Sequence, residues 1–431
     1  MGAQMEIAEK AREGCQRTFS VTMEWERVAP HYEGVLKAVR GQARLPGFRP
    51  GKAPAALVKA RFASEIREEV LERILPEAAQ ETLKQFGLEP VVEPRAAQTR
   101  LEEGQPFTCE LKIEVAPEFP EVTAAGVEIS SPKPDVKEEQ VEKVIHSLRE
   151  RAAVMKPVEE AAEGDYLVLS QKRAGLEKEQ EVFLRALSQS DHPVERMLSG
   201  KKAGETFELE IAPPATEEEG KKAPLAPGKY TFTVNKVGRR EVPPLSDDFA
   251  KDLGAENLEA LRNRVREDLV AQVQREVKGF QENRLLESLL EKYPVPLPPT
   301  LVERQLREDL TELVEEWERE GMGAMARKVD WKEIADSRRP FAERKVGAYF
   351  LLSQTAARKG LAATEEDVDA YFRELAAGSR LSPETLKSRY AKEERLDDVR
   401  DLIARKKALD LLLREASVRF VEGKPSGEEE S

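Results

Sequence analysis

The chain has 431 residues, a formal charge of -13, 35% charged, 40% apolar and 6% aromatic residues, so roughly two to four domains rich in long, solvated helices are predicted. Cys15 and Cys109, with the scattered His31, His146 and His192, make neither a disulfide framework nor a metal or cofactor cluster, which fits a reduced cytosol. No apolar run reaches the length of about 18 residues that a membrane span needs, and residues 1 to 17 do not read as a signal peptide.

Phe19, Val21 and Met23 alternate with Thr18, Ser20, Thr22 and Glu24, predicting a strand over 15 to 25. Pro30 is read as opening a helix through Ala43, and Leu57 to Gln85 as helical, in two pieces broken near Pro76. Val91-Val92 and the alternating Phe107, Cys109, Leu111, Ile113 and Val115 return the chain to strands, so the first domain is α+β. Pro117, Pro120, Pro132 and Pro134 make 116 to 135 an extended linker. Val141, Val144, Ile145 and Leu148 give the helix that follows an apolar stripe in need of a partner.

From Val158 to Val242 short strands recur at 166 to 169, 207 to 211 and 230 to 234, a small β-rich domain. From Leu245 to Phe420 the period is helical. Leu258, Leu261, Val265, Leu269, Val273, Val277 and Phe280 mark one long helix, whose stripe is read mostly as a packing seam. Prolines 294 to 299 end it, and further helices are predicted over 301 to 320, 341 to 358, 364 to 376 and 394 to 416. Residues 423 to 431 are polar and acidic, and are expected to be disordered.

One stretch breaks the acidic character of the whole. Residues 35 to 62 hold Lys37, Arg40, Arg44, Arg49, Lys52, Lys59 and Arg61 and no Asp or Glu, which implies a polyanionic partner. At its centre Gly47-Phe48-Arg49-Pro50-Gly51-Lys52-Ala53-Pro54 is no P-loop, which needs four residues between its glycines and a Ser or Thr after the Lys. It reads as a docking tip: glycines permit the turns, prolines stiffen them, Phe48 is an apolar anchor, and Arg49 and Lys52 supply charge. The alternative is an ordinary turn with Phe48 tucked into the core.

This octet resembles the Gly-Phe-Arg-x-Gly-Lys-x-Pro signature of the bacterial trigger factor family, ribosome-associated chaperones, and the order of regions matches along nearly the whole chain. The resemblance implies an α+β multidomain protein: an α/β ribosome-binding domain (1 to 115), a linker and helix joining the C-terminal domain (116 to 157), an inserted β-rich FKBP-like domain (158 to 243), a mostly helical substrate-binding domain (244 to 421) and a tail (422 to 431). It also implies a cytoplasmic protein that holds the large ribosomal subunit and emerging, unfolded polypeptides, with homodimerisation left open. Gly47, Phe48, Arg49, Pro50, Gly51, Lys52 and Pro54 would be the ribosome contacts, with Arg44 added from its charge. No catalytic residue, cofactor or metal is assigned.

The insert departs from the family. An FKBP-type prolyl isomerase needs an aromatic-lined pocket that desolvates the X-Pro amide. Where the family has Asp-Phe this chain has Leu169-Ser170; where it has Pro-Gly-Phe-Glu, this chain has Pro193-Val194-Glu195; and Ala215 to Glu219, in place of a Tyr-bearing loop, holds no aromatic residue. Phe183, Phe207, Tyr230 and Phe232 are expected in the core, and isomerase activity is expected to be weak or absent. The rival functions are an active prolyl isomerase, an RNA-binding regulator and a helical scaffold.

Overall fold

The computed structural model describes residues 5–46, 48, 51–175, 179–212, 225–323 and 326–421. The chain divides into two compact units, one drawn from positions 1–132 and 278–431, the other from 133–277.

The first unit begins with β1 (Met5–Glu13), β2 (Gln16–Met23), α1 (Trp25–Gln42), α2 (Ala55–Arg61), α3 (Ala63–Phe86), β3 (Arg95–Arg100) and β4 (Phe107–Glu114). The strands form an antiparallel sheet in the order β1-β2-β4-β3. Alternation along β2 and β4 puts Phe19, Val21, Met23, Phe107, Leu111 and Ile113 on one buried face, packed in one core with Val28 and Val35 of α1 and Ile66, Val70 and Ile74 of α3.

Several expectations need correction here. β1 escaped the sequence reading because its polar, helix-favouring residues become a strand only by pairing on β2, with Ile7 opposite Val21. Pro30 lies inside α1, which starts at Trp25; in the second turn a proline forfeits one backbone bond, which the packed helix tolerates. α3 likewise runs through Pro76, and the break between the two helical pieces falls at Phe62. Val91 and Val92 form no strand and pack on the helical core instead.

The proline-punctuated stretch is extended but no free linker. Phe119, Val122, Ala124 and Val127 are buried in the helical core, and β5 (Glu128–Pro132) lies parallel to Ser417–Val421.

The second unit holds α4 (Glu138–Arg151), β6 (Val154–Pro157), β7 (Tyr166–Arg173), β8 (Glu179–Arg185), β9 (Thr206–Ile211), β10 (Gly228–Glu241), α5 (Asp247–Asp252) and the start of α6 (Leu258–Lys292), through Val277. Its sheet runs β6-β10-β7-β8, with β9 also on β10. The unpartnered stripe of α4 finds its partner here: Val141 and Ile145 bury against Phe249, Ala250, Leu261 and Val265. The front of the α6 stripe is therefore a packing seam, as its period suggested.

Back in the first unit, the rest of α6 is followed by α7 (Pro299–Arg319), α8 (Trp331–Lys359), α9 (Glu365–Ala377), α10 (Pro383–Lys392), α11 (Leu396–Glu415) and β11 (Ser417–Val421). Leu285, Leu289, Leu301, Val302, Phe350, Leu351 and Leu412 share one core with Phe119. α8 starts upstream of the expected 341 because Pro340 is carried inside it. α10 was missed although its start is written in the chain: the Ser382 hydroxyl accepts the Thr385 N–H and Pro383 takes the first helical position. No helix among the described residues is long and apolar enough to cross a membrane.

Candidate docking site

The tip is the connection between α1 and α2. α1 closes with the Ala43 N–H on the Val39 carbonyl at 2.8 Å, and α2 opens with the Pro54 carbonyl accepting the N–H groups of Leu57 and Val58 at 3.1 and 3.2 Å. Ala43 and Ala53 are buried and Leu45 packs on the same core as α1 to α3, so both ends of the connection are pinned. Gly51 takes φ +78°, a left-handed backbone that glycine adopts without a Cβ penalty. Between these anchors the Phe48 N–H donates to the Leu45 carbonyl at 3.1 Å, and the side chain is 41% exposed. A Phe48 tucked into the core is thereby excluded.

Arg44, Lys52 and Pro54 are exposed, and among the described residues no carboxylate forms an ion pair with Arg44 or Lys52. Gly47, Arg49 and Pro50 lie outside the described residues. The acid-free island of the sequence is not acid-free in space: Glu103 pairs with Lys59, whose ammonium also lies 5.5 Å from the Tyr32 ring centroid. Burial, then the Glu103 charge, push the Tyr32 phenol up. Lys59 is thus partly neutralised, a pairing at a separation no local pattern reveals. Ala43, Leu45 and Ala53 were missed as supports, and their only signal was apolar residues flanking the Gly/Pro run.

In the insert, Phe207, Tyr230 and Phe232 are core residues as expected, stacked with ring centroids 5.3 Å apart for Phe207–Phe232 and 6.0 Å for Tyr230–Phe232. Phe183 is not, being largely exposed. Leu169 and Val194 are buried, Ser170 accepts from the Asn235 amide at 2.9 Å, and the Glu195 carboxylate accepts the Arg185 N–H at 3.2 Å. Residues 215 to 219 lie outside the described residues. Asp165 is buried, taking two hydrogen bonds from Arg239 at 2.9 and 2.8 Å and the Ala162 N–H at 2.8 Å. Arg239 first, then that backbone bond, hold its carboxyl below the usual range against the opposing effect of burial.

The helical part of the first unit carries open apolar relief. A groove of about 290 Å³ runs between α7 and α8, with Leu301, Val346, Tyr349 and Phe350 in its wall and Glu308 and Lys345 beside them. A second, of about 330 Å³, is lined by Tyr349, Ala356, Leu361 and Ala404. Tyr349 stands between the two, its ring 4.6 Å from the Arg405 guanidinium, and Phe341 and Leu402 are also exposed.

Models of the bacterial trigger factor protein match residues 5–148, and of its C-terminus residues 257–414. A trigger factor of Aquifex aeolicus is 31% identical over 421 residues, covering 94% of this chain and 86% of that protein. One of Thermus thermophilus is 32% identical, with 90% and 94% covered. A solved structure described as "Promiscuous Substrate Recognition in Folding and Assembly Activities of the Trigger Factor Chaperone" shares the fold with a TM-score of 0.52 at 22% identity, over 95% of this chain and 99% of that one. With the α/β tip-bearing part, the β-rich insert and the helical part in this order, and with relatives of this identity along almost its whole length, the chain belongs to the bacterial trigger factor family.

Proposed function

We propose that the chain docks on the large ribosomal subunit through residues 44 to 54 and offers its helical face to polypeptides leaving the tunnel. The observation that carries this reading is an exposed Phe48 on a connection pinned by Ala43, Leu45 and Ala53, beside the exposed cations Arg44 and Lys52. An apolar anchor ringed by cations suits a surface of protein and RNA, where Arg and Lys meet phosphates and carboxylates and the ring fills an apolar recess. Gly47 and Arg49 join the same contact through the family signature, and Pro50 through its place between Arg49 and Gly51.

Residues 1 to 115 then form the docking domain, 116 to 157 the extended segment and helix that join the C-terminal domain, its last residues 154 to 157 pairing into the sheet of the insert, 158 to 243 the FKBP-like insert, 244 to 421 the chaperone domain and 422 to 431 the tail, in a cytoplasmic protein. Holding the molecule at the exit raises the local concentration of its apolar grooves near each emerging segment, so weak contacts suffice. The walls around Tyr349 mix apolar and charged side chains, which favours low-specificity, reversible binding.

The insert contributes little isomerase activity in this reading. Phe207, Tyr230 and Phe232 spend their faces on one another in the core, and Leu169, Ser170 and Val194 supply no aromatic wall for a prolyl ring. A proline-limited refolding reaction accelerated to the extent typical of an intact FKBP-type domain would contradict this.

Replacing Phe48, Arg49 and Lys52 together by Ala should abolish cosedimentation with ribosomes and leave the far-ultraviolet circular dichroism unchanged. Wild-type binding should weaken with added salt as phosphate contacts release counterions. Cosedimentation undiminished in the triple variant overturns the docking assignment.

A further inference from the structure

Within the first unit, the tip-bearing part and the helical part meet at one end of the β1-β2-β4-β3 sheet. Ile113 of β4 faces the core, so alternation turns Glu114 to the opposite face, where Glu110 and Lys112 remain accessible to solvent. Glu114 is nonetheless only 6% exposed, because the start of α7 covers it. Its carboxylate accepts the Thr300 hydroxyl at 2.6 Å and the Thr300 N–H at 3.1 Å. Pro298 and Pro299 precede Thr300 at this helix end and carry no N–H, so Thr300 offers the first orphan donor of the helix, at its positive end, to a carboxylate.

The neighbours of Glu114 make the same crossing. Its carbonyl accepts the Val91 N–H at 2.9 Å, and Val115 donates to the Cys15 carbonyl at 2.9 Å. Val91 and Val92 pack on the helical core, and the buried Cys15 thiol donates to the Pro296 carbonyl at 2.9 Å. After burial, the Glu114 charge is what holds that thiol up, as a nearby carboxylate does. Beyond Val115 the chain enters the helical core at Phe119, whose N–H donates to the Gln354 side-chain oxygen at 3.1 Å. A lone chain crossing leaves two parts free to turn on each other; here Cys15, Val91 and Glu114, far apart in sequence, close one joint.

The tip belongs to the other end of the sheet. Gln16 pairs with Glu114 at the joint and Met23 with Phe107 at the far end. Beyond Phe107 lies the β3–β4 turn, where Glu103 pairs with Lys59 of α2, little more than one helical turn on from Pro54. β2 between these ends spans about 23 Å, so a rotation of roughly 10° at the joint shifts the helices about 4 Å relative to the tip. The groove beside Tyr349 also opens at the joint, since Val91 shares its wall with Leu301, Val346 and Phe350.

We propose that the Glu114–Thr300 pair is a latch that fixes the docking part against α7 and α8, completing the groove with Val91 and setting its reach from the tip. Glu114 and Thr300 are positioning residues, acting through the groove and the tip rather than on either partner. The reach has meaning only if residues 44 to 54 hold the ribosome, as read above; the latch itself does not depend on that reading.

Thr300→Val removes the hydroxyl donor at nearly unchanged shape and leaves the Glu114 charge beside Cys15 in place. Cys15 then reports the latch, and Cys109, in the core of the sheet, is its control. Native labelling of the full chain with iodoacetamide, read by peptide mass spectrometry, should modify Cys15 about tenfold faster in Thr300→Val than in the wild type, the effect of losing a hydrogen bond to a carboxylate. Cys109 should be unaffected, and Thr300→Ser should restore the wild-type rate. An unchanged Cys15 rate in Thr300→Val overturns the latch, and so does equal acceleration of both thiols, which reports general unfolding.

For position, Arg304→benzoylphenylalanine places a photocrosslinker on the groove rim, and ribosomes stalled on one polypeptide at graded lengths show which lengths reach it. With and without Thr300→Val the chain should cosediment equally with ribosomes, while Thr300→Val should crosslink over a range of lengths about twice as wide, since a loosened joint spreads the reach. Identical crosslinking profiles overturn the positioning role. Failure of the wild type itself to cosediment sinks the docking reading, and the Cys15 rates then decide the latch alone.

Discussion

Gly14→Ala should be among the more costly single-methyl additions in the molecule. Gly14 has φ +57°, and a left-handed backbone costs Ala about 1 kcal/mol relative to Gly. The new Cβ would also lie 2.7 Å from Pro296 Cβ and 3.3 Å from its Cγ, where carbon atoms pack best at about 3.5 to 4.0 Å. A proline ring cannot rotate aside, so the β1–β2 turn or the segment before α7 must shift, and such overpacking costs about 1 to 3 kcal/mol. The sum is about 3 kcal/mol.

Two further glycines separate the contributions. Gly51 has φ +78° and open space around it, so Gly51→Ala should cost only the backbone share of about 1 kcal/mol. Gly41 lies in the last turn of α1 with nothing within reach, so Gly41→Ala should stabilise by about 0.5 kcal/mol through helix propensity. Urea unfolding followed by circular dichroism ranks the three. A Gly14→Ala midpoint within error of Gly51→Ala would refute the rigid contact with Pro296.

Asp165→Ala should destabilise the insert by about 1 to 2 kcal/mol through the unpaired Ala162 N–H and lost carboxylate, with the half-exposed Arg239 discounted for solvent screening. Because the native carboxyl is held below its unfolded value of about 3.9, that contribution is complete above about pH 4 and is lost as pH falls through the native pKa. The gap between variant and wild type should therefore close in acid, and a gap that widens there would contradict the pairing. Burial pushes both thiols, Cys15 and Cys109, up to about 11, leaving about a thousandth as thiolate at pH 8. Ellman's reagent should titrate neither in the native chain and both in guanidinium chloride; prompt native reaction would show that Cys15 has left its 2.9 Å contact with the Pro296 carbonyl.

Local pattern carried a large share of the molecule. The alternation of β2, β4, β7 and β10, the period of α4, α6 and α7, and the Gly-Phe-Arg-Pro-Gly-Lys signature are all written in neighbouring residues, because period two and period 3.6 set which side chains share a face. For Phe48 the acid-free flanks favoured an exposed anchor over a turn tucked into the core, and its 41% exposure decided between the two.

Tertiary structure decided what depends on partners far away in sequence. β1 and β11 are strands only because β2 and β5 offer them a ladder, and Pro30, Pro76 and Pro340 sit inside helices because packing outweighs one lost backbone bond. The supposed linker became core when Phe119 and Val122 met Leu285 and Phe350. Glu103 reached Lys59 and thinned the basic island. Phe183, which reads in sequence as one more buried strand residue, faces solvent because its neighbours Val182 and Leu184 take the core side of β8. Sequence determined the periods and the tip, and long-range contact determined which faces, edges and charges remained free, since burial and pairing are properties of pairs of segments that no single segment encodes.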